Sequence, residues 1–373
     1  MALGVATAAL VFSGSAALAT TLQPGAEGTR AVHAGDGSAQ SEDVGLPKQY
    51  RTVDILRLRQ GEAPAIPWAD GAVLQDGDAR VQLGSAPDSF VELTGGYAVR
   101  SRLGESADTW RLDFVRRNGS VEELGRGPVS APAASRDKER FVWTTSKTGP
   151  DGSHVVSLYS GLGDGSVDNP GTFSLVSDSD YTPMGYVNED FGFLLNPEGG
   201  TGRVEAWQPT TDDGSTLFQE LQVTAVSEED ANHAAWASFV RQYDGEGRPC
   251  TTTVAFTGLL EYEDQWSSCE LYPISFSPDG RYAVAVDSRT DGLGPGELII
   301  VDTATGRRRM VLDVEVTQQV AWEPNGRLLF DAWHGTKVAL VRCTVAGACE
   351  RATSVRTHDL GHDPRSPFTL PRQ

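Results

Sequence analysis

The chain has 373 residues, enough for one large domain or two of medium size. It carries 51 acidic against 31 basic side chains, and the net charge of −20 argues against nucleic acid and anionic membrane surfaces as partners, because both require a positive face. Apolar residues make up 39% of the chain, which suffices for a packed core, and the 41 glycines indicate many tight turns.

The first predicted element is an export segment at residues 1–22. Residues Ala2–Leu22 contain no charged side chain. An apolar stretch of about 20 residues can cross a bilayer or hold the core of a signal peptide. Ala17 and Ala19 form a cleavage site of the usual small-residue type. A basic residue is expected near the start of such a segment, yet the first is Arg30.

We therefore predict an exported protein that is extracellular or at the cell surface. Two alternatives stay open, because residues 1–22 are either removed as a signal peptide or kept as a membrane anchor. Residues 23–47 are rich in small and polar side chains without apolar periodicity, which is typical of a disordered linker. The folded domain is predicted over residues 48–356, and a C-terminal tail over residues 357–373.

The clearest repeating unit lies at Pro273–Leu312. Turns rich in Pro, Asp and Gly separate four short predicted strands, at Ile274–Phe276, Tyr282–Asp287, Leu298–Asp302 and Arg309–Leu312. Four antiparallel strands joined in sequence have the size and order of one β-propeller blade. The pattern recurs in register in the next unit, since SFSPDGRYAVAVD is followed by AWEPNGRLLFDAW.

Weaker units precede this pair and recur about every 40 to 50 residues, near the period of four-stranded blades. Six complete units fit between Asp88 and Ser354. Ahead of them, Ala72–Leu74 and Arg80–Leu83 resemble half a blade. The predicted fold class is therefore all-β, a β-propeller of six or seven four-stranded antiparallel blades. Seven is preferred, with an incomplete N-terminal closure blade, and six stays open.

The cysteines favour two disulfides. All four lie in the last third of the chain, and an even number in an exported protein indicates a disulfide framework. Cys343 and Cys349 flank a short hairpin loop, and Cys250 and Cys269 flank two β-rich runs that can lie side by side. We predict the pairs Cys250–Cys269 and Cys343–Cys349. A structural zinc site is the alternative, but neither spacing matches the usual pairs of zinc ligands.

The unit at Pro273–Leu312 resembles a blade of the TolB-type and WD-repeat-like propellers of bacterial exported proteins. The shared pattern is S-P-D-G followed by an aliphatic strand, which occurs fully at Ser277–Tyr282 and loosely at Glu323–Leu328. The resemblance implies a scaffold that binds partners, usually proteins, and it supplies no catalytic residues.

No arrangement of residues in the sequence predicts a catalytic site, a cofactor or a metal. His358, Asp359, His362 and Asp363 form a weak metal-binding pattern, but a polar disordered tail is the favoured interpretation. The other histidines in the repeats fall at non-equivalent positions of different units: His154, His233 and His334. Calcium in an acidic loop stays open, although no EF-hand spacing is present.

The leading hypothesis is a non-enzymatic, monomeric binding propeller with a protein or cell-envelope partner. Propellers bind through loops. The candidate loops are Gly161–Gly171, Glu228–His233 and Asp291–Gly296, and Trp68 and Trp266 are candidate contacts. The alternative is a secreted glycan hydrolase or lyase that uses channel carboxylates. The densest acidic positions are Asp178, Asp180, Glu189, Asp190, Asp212, Asp213, Glu228, Glu229 and Asp230.

Overall fold

The computed structural model describes residues 49–104, 109–149, 153–167, 174–176, 180–188, 192–197, 203–207, 216–217, 220–229, 233–257, 261–290 and 294–373. The predicted export segment and linker lie outside the described residues. Among the residues described, no helix is long and apolar enough to span a membrane.

The described part of the chain contains thirty β-strands. The first precedes the blades, at Tyr50–Thr52 (β1), and the next three begin blade 1, at Trp68–Asp70 (β2), Val73–Asp76 (β3) and Ala79–Gln82 (β4). Blade 2 contains Pro87–Leu93 (β5), Gly96–Arg102 (β6), Trp110–Arg116 (β7) and Val121–Gly127 (β8). Blade 3 contains Ala133–Ala134 (β9), Arg140–Thr148 (β10), His154–Leu162 (β11) and Ser174–Val176 (β12).

The remaining strands form blades 4 to 7. Blade 4 contains Tyr181–Asn188 (β13), Gly192–Pro197 (β14), Glu205–Trp207 (β15) and Thr216–Leu217 (β16). Blade 5 contains Gln222–Ser227 (β17), Trp236–Tyr243 (β18), Pro249–Phe256 (β19) and Tyr262–Ser268 (β20). Blade 6 contains Leu271–Phe276 (β21), Tyr282–Asp287 (β22), Glu297–Asp302 (β23) and Arg308–Asp313 (β24). Blade 7 contains Val320–Trp322 (β25), Leu328–His334 (β26), Lys337–Cys343 (β27) and Cys349–Arg351 (β28). A short strand, Arg356–Thr357 (β29), also pairs with β27. The last strand is Phe368–Thr369 (β30).

The seven sheets confirm the predicted propeller with its preferred number of blades. Seven separate clusters of buried apolar side chains lie between consecutive blades, and one of them joins blade 7 back to blade 1. Each blade is therefore packed on both faces. This explains why a central strand such as β22 is a nearly continuous apolar run, whereas the outer strand β8 is mostly exposed and polar.

Residues from the two ends of the described chain complete blade 1. Strand β30 pairs antiparallel with β2 and supplies the innermost strand, so Ala69 lies opposite Thr369 and Asp70 opposite Phe368. The closure blade is thus complete, with four strands. The boundary predicted at residue 356 is too early, because part of the segment 357–373 is a strand of the ring and not a tail outside it.

An N-terminal strap, residues 49–66, crosses the outside of blades 6 and 7 before it enters blade 1. Strand β1 pairs in parallel with β24, the outer strand of blade 6. Further along, Gln60 forms a parallel bridge with Arg351 of β28. The strap therefore covers outer strand edges that would otherwise expose unpaired backbone groups.

The structure joins the four cysteines in the two pairs that the sequence favours. Cys250–Cys269 links the third strand of blade 5 to the residue directly after its fourth strand, and Cys343–Cys349 links the third and fourth strands of blade 7. Both bonds hold an outer strand onto its sheet.

Removing these bonds should destabilise the protein unequally. The sequence separations are 19 for Cys250–Cys269 and 6 for Cys343–Cys349. The entropy of the closed loop predicts a loss of about 3 kcal/mol for the first pair and about 2 kcal/mol for the second when both cysteines become alanine. Urea unfolding of the two double variants measures the difference, and a larger loss for the shorter loop would contradict this account.

Candidate functional site

A cavity of about 470 Å³ lies at the centre of the ring. Its walls come from the innermost strands and from the turns that connect first to second strands. The apolar part of the wall includes Tyr186, Phe276 and Trp322. Five charged side chains also line it: Glu92, Arg136, Lys138, Glu228 and Arg372.

The segment Pro371–Gln373 lies in the channel and contributes to this cavity. The Arg372 backbone amide donates to the Phe90 carbonyl of blade 2 at 2.9 Å, and its guanidinium donates to the Pro183 carbonyl of blade 4 at 3.2 Å. The Gln373 side-chain amide bonds the Trp322 backbone of blade 7 in both directions, at 2.7 and 2.6 Å. These residues join three innermost strands across the channel.

One tight turn recurs between first and second strands. In Ser277–Tyr282 the Ser277 hydroxyl donates to Asp279 at 2.6 Å and accepts from the Tyr282 amide at 3.0 Å. In Ser135–Arg140 the Ser135 hydroxyl likewise donates to Asp137 at 2.6 Å and accepts from the Arg140 amide at 3.0 Å. Blade 3 therefore folds its turn as blade 6 does, although the sequence changes from SPDG to SRDK.

The Ser135–Arg140 turn has an unusual backbone. Lys138 has φ 64°, and among the residues described it is the only residue other than glycine with positive φ. The equivalent positions of blades 6 and 7 are Gly280, with φ 64°, and Gly326, with φ 75°. A side chain in this left-handed region costs about 1–2 kcal/mol. Blade 3 thus keeps a strained backbone and gains a lysine that lines the cavity.

A pair of substitutions separates this strain from the side chain's contacts. Lys138→Gly and Lys138→Ala both remove the ammonium group, but only alanine keeps a Cβ atom in the left-handed region. We expect the alanine variant to be less stable than the glycine variant by about 1 kcal/mol, as measured by urea unfolding. Equal stability of the two variants would show that the turn relaxes without cost.

An ionic network connects the cavity to blade 1. Glu92 accepts from the Lys138 ammonium at 2.7 Å and from the Arg117 guanidinium at 3.1 Å. Arg117 also pairs with Asp76, which accepts a hydrogen bond of 2.6 Å from the Tyr97 hydroxyl. The network spans blades 1, 2 and 3, so it fixes where Glu92 and Lys138 sit at the cavity.

Two ionisable groups near the cavity have shifted pKa values. Burial raises the pKa of Tyr186, and the nearby Glu228 carboxylate adds to the effect, so this wall residue stays neutral. Burial alone would raise the pKa of Asp279, but hydrogen bonds from the Ser277 hydroxyl and the Arg281 amide outweigh it and lower that pKa. Asp279 therefore stays ionised and holds the turn.

The acidic residues that were candidates in the sequence lie at different places in the structure. Glu228 lines the cavity, whereas Glu229, which lies beside it in sequence, is not in the wall. Asp180 instead contacts His154 at 2.5 Å in a second cavity of about 300 Å³ near blades 2 to 4. Asp178, Glu189, Asp190, Asp212, Asp213 and Asp230 lie outside the described residues.

The candidate aromatic contacts are structural. Trp68 is buried and packs edge-on against Phe368, with ring centroids 5.7 Å apart. Trp266 donates its indole N–H to the Thr303 carbonyl at 2.7 Å, and its ring covers Gly306. Both support blade packing, and neither lines the central cavity.

Within the histidine pattern of the C-terminal segment, His358 packs against the ring, whereas Asp359 and His362 are exposed. The His358 ring lies against Trp333 at 5.5 Å and is 3.1 Å from the Asp363 carbonyl. Within the described parts of the chain, the one group of three metal-ligand atoms close together is Asp244, Cys250 and Cys269. Those two sulfurs are bonded to each other.

The candidate loops divide between the two faces of the ring. Strands of a blade alternate in direction, so turns from first to second and from third to fourth strands share one face. The described parts of two candidate loops, residues 161–167 and residues 228, 229 and 233, lie on that cavity face, and residues 168–171 and 230–232 are outside the described set. The loop at 291–296 joins second to third strands and lies on the opposite face, and its residues 291–293 are outside the described set.

No family model matches the chain, and no curated protein matches it. Among solved structures, a prolyl endopeptidase has a TM-score of 0.54 at 12% identity, over 81% of this chain and 50% of the other. Prolyl oligopeptidase B of Galerina marginata has a TM-score of 0.48 at 10% identity, over 75% and 43%. The WD40 domain of Toxoplasma gondii coronin has a TM-score of 0.44 at 11% identity, over 82% and 77%.

This chain therefore spans half the length of the prolyl endopeptidase that it matches. At such low identity the likeness concerns the fold and not an activity. The chain is a seven-bladed β-propeller.

Proposed function

We propose that this protein is a non-enzymatic binding propeller that works outside the cell or at its surface and recognises a protein partner at the cavity face. The observation that supports this most is the central cavity itself. Charged side chains and aromatic rings both line it, and Pro371–Gln373 contribute to it from the channel. A recess with an apolar wall and a few placed polar groups is the usual form of a binding site.

The two disulfides are compatible with the export part of this proposal. Disulfides persist in oxidising compartments and are rare where thiols are kept reduced. Both bonds lie on outer strands, Cys250–Cys269 in blade 5 and Cys343–Cys349 in blade 7.

Binding fits the cavity better than hydrolysis of a glycan. A glycosidase needs two carboxyl groups, one of which gives a proton to the leaving group. Glu92 already accepts from two cations, and Glu228 accepts from the Arg136 amide at 2.5 Å. Both carboxylates are thus already engaged by donors of this chain, which suits a fixed structural position more than proton transfer to a substrate.

A pair of matched variants tests the proposal. Ser227 lines the cavity, whereas Thr336 is exposed in the turn from second to third strand of blade 7, on the opposite face. We expect a cell-envelope protein to be captured by the purified wild-type chain and by Thr336→Trp, and to be lost with Ser227→Trp. Equal capture by both variants would place binding elsewhere, and no specific capture would refute the proposal.

A further inference from the structure

The turn Ser135–Arg140 differs in sequence from the equivalent turns at the same cavity. Blades 6 and 7 place Pro278 and Pro324 at the second turn position, where blade 3 has Arg136. All three of these residues line the cavity. At the fourth position, blades 6 and 7 have glycine and blade 3 has Lys138. Proline and glycine are the residues that this kind of turn favours, so blade 3 replaces both favoured residues with cations.

The lysine leaves the backbone of this turn in a strained conformation. Lys138 stays at φ 64°, a conformation that suits glycine. Strain of this kind persists where the surrounding structure enforces it and is concentrated at functional sites. The Lys138 ammonium has three N–H donors, of which the bond to Glu92 uses one. Its side chain is 44% exposed, so the ammonium is also accessible.

The cavity differs in charge from the rest of the protein. Three cations line it, Arg136, Lys138 and Arg372, against two carboxylates, Glu92 and Glu228. The side chains that line the cavity therefore sum to +1, three cations less two carboxylates, whereas the chain as a whole carries a net charge of −20. Cationic side chains in a recess attract an anionic group, while the acidic remainder of the surface repels it.

We infer that the central cavity binds a carboxylate carried by a protein partner, with Lys138 and Arg136 as its main contacts. A carboxylate matches these cations in size and in hydrogen-bond geometry. The neighbouring ring of Tyr186 and the Pro278 side chain would cover the aliphatic part of the same residue. The inference rests on the proposed function and names the chemistry that the partner presents. The carboxylate can come from an acidic side chain or from a chain terminus.

Binding of small molecules to the full chain distinguishes a side-chain carboxylate from a terminal one. Ligand-observed saturation-transfer NMR at low salt would compare N-acetyl-glutamate methylamide, which has only a side-chain carboxylate, with N-acetyl-glycine, which has only a terminal one. N-acetyl-glutamine methylamide is the neutral counterpart of the first probe. We expect one of the two acids to bind about tenfold more tightly than the neutral probe. The neutral probe has no carboxylate, so it cannot form the charged hydrogen bond to the cations of the cavity.

Matched variants locate the binding. Lys138→Gly restores the residue type that blades 6 and 7 use at this position, so the turn is expected to fold. Lys147→Ala removes the same charge beside the second cavity, near blades 2 to 4. We expect Lys138→Gly to weaken the acidic probe about tenfold and Lys147→Ala to leave it unchanged. Equal weakening in both variants, or equal binding of the neutral probe, would overturn the inference.

The two proposals can fail separately. If Ser227→Trp abolishes capture of a partner while neither acid binds, the proposed function stands and the carboxylate inference is wrong. If an acid binds through Lys138 while Ser227→Trp leaves capture unchanged, the carboxylate site stands and the proposed partner surface is wrong.

Discussion

Phe368→Ala should lower the free energy of unfolding by about 3–5 kcal/mol, the range found when a buried phenylalanine is truncated. Phe368 is 1% exposed and lies in β30, the strand that closes the ring. It packs between Trp68 of the same blade and the blade 7 cluster that contains Leu329 and Leu340. Truncation leaves a cavity where the two ends of the described chain meet, so the closure itself is weakened.

Urea unfolding followed by tryptophan fluorescence measures this loss. Val121→Ala is the control, because Val121 is 52% exposed in the outer strand β8 and its truncation should cost little. A loss for Phe368→Ala no greater than for Val121→Ala would mean that the ring does not depend on its last strand.

Arg342→Met should cost about 3–5 kcal/mol, because it leaves a buried carboxylate without its cation. Arg342 and Glu323 are 3.4 Å apart, and their side chains are 4% and 0% exposed. Arg342 also donates to the carbonyls of Glu62 and Ala63, while Glu323 accepts from the Ala65 amide at 2.9 Å. The pair therefore holds the N-terminal strap where it passes from blade 7 into blade 1.

The double variant Glu323→Gln/Arg342→Met tests the electrostatic part of that cost. We expect it to be more stable than Arg342→Met by at least about 1 kcal/mol, since no buried charge is left without a partner. Arg309→Met is the exposed control, because Arg309 pairs with Asp302 at 2.8 Å but is 44% exposed, and its loss should stay below about 1 kcal/mol. A double variant as unstable as Arg342→Met alone would attribute the loss to packing.

The central strands of the blades, the second and third of each, were predictable because both of their faces are covered. The predicted strand Tyr282–Asp287 matches β22 residue for residue, and Leu298–Asp302 differs from β23 by one residue. Outer strands such as β8 have one covered face at most, and their polar sequence resembles that of a loop. The regular spacing of the covered strands predicted six complete units, and the half blade ahead of them made seven the preferred number while six stayed open.

The strand that completes the closure blade was not predictable from local sequence. Strand β30 has two residues, and nothing in Phe368–Thr369 indicates that it pairs with β2 at the other end of the chain. The strap is similar, because the exposed segment Tyr50–Thr52 pairs with β24 only through the tertiary structure. Local propensity cannot identify either partner.

The candidate site was identified only in part. Glu228 was among the acidic positions considered, whereas Arg136 and Lys138 were overlooked because they replace the Pro and Gly that mark this turn elsewhere. A usable signal was present: Ser135 and Asp137 have the spacing of Ser277 and Asp279, and an apolar strand follows both turns. That pair of capping side chains therefore marks the turn in the sequence even where Pro and Gly are missing.

The pairing of β30 with β2 also fixes the order in which this chain can fold during synthesis. Thr369 bonds to Pro87 across a separation of 282 residues, so blades 1 and 2 are made long before their last partner. At ribosomal rates this interval is on the order of 15 to 60 s. Throughout it, the inner edge of β2 has unpaired N–H and C=O groups, which is the condition that invites wrong strand pairing. Blade 1 is thus the first blade to be translated and the last to be completed.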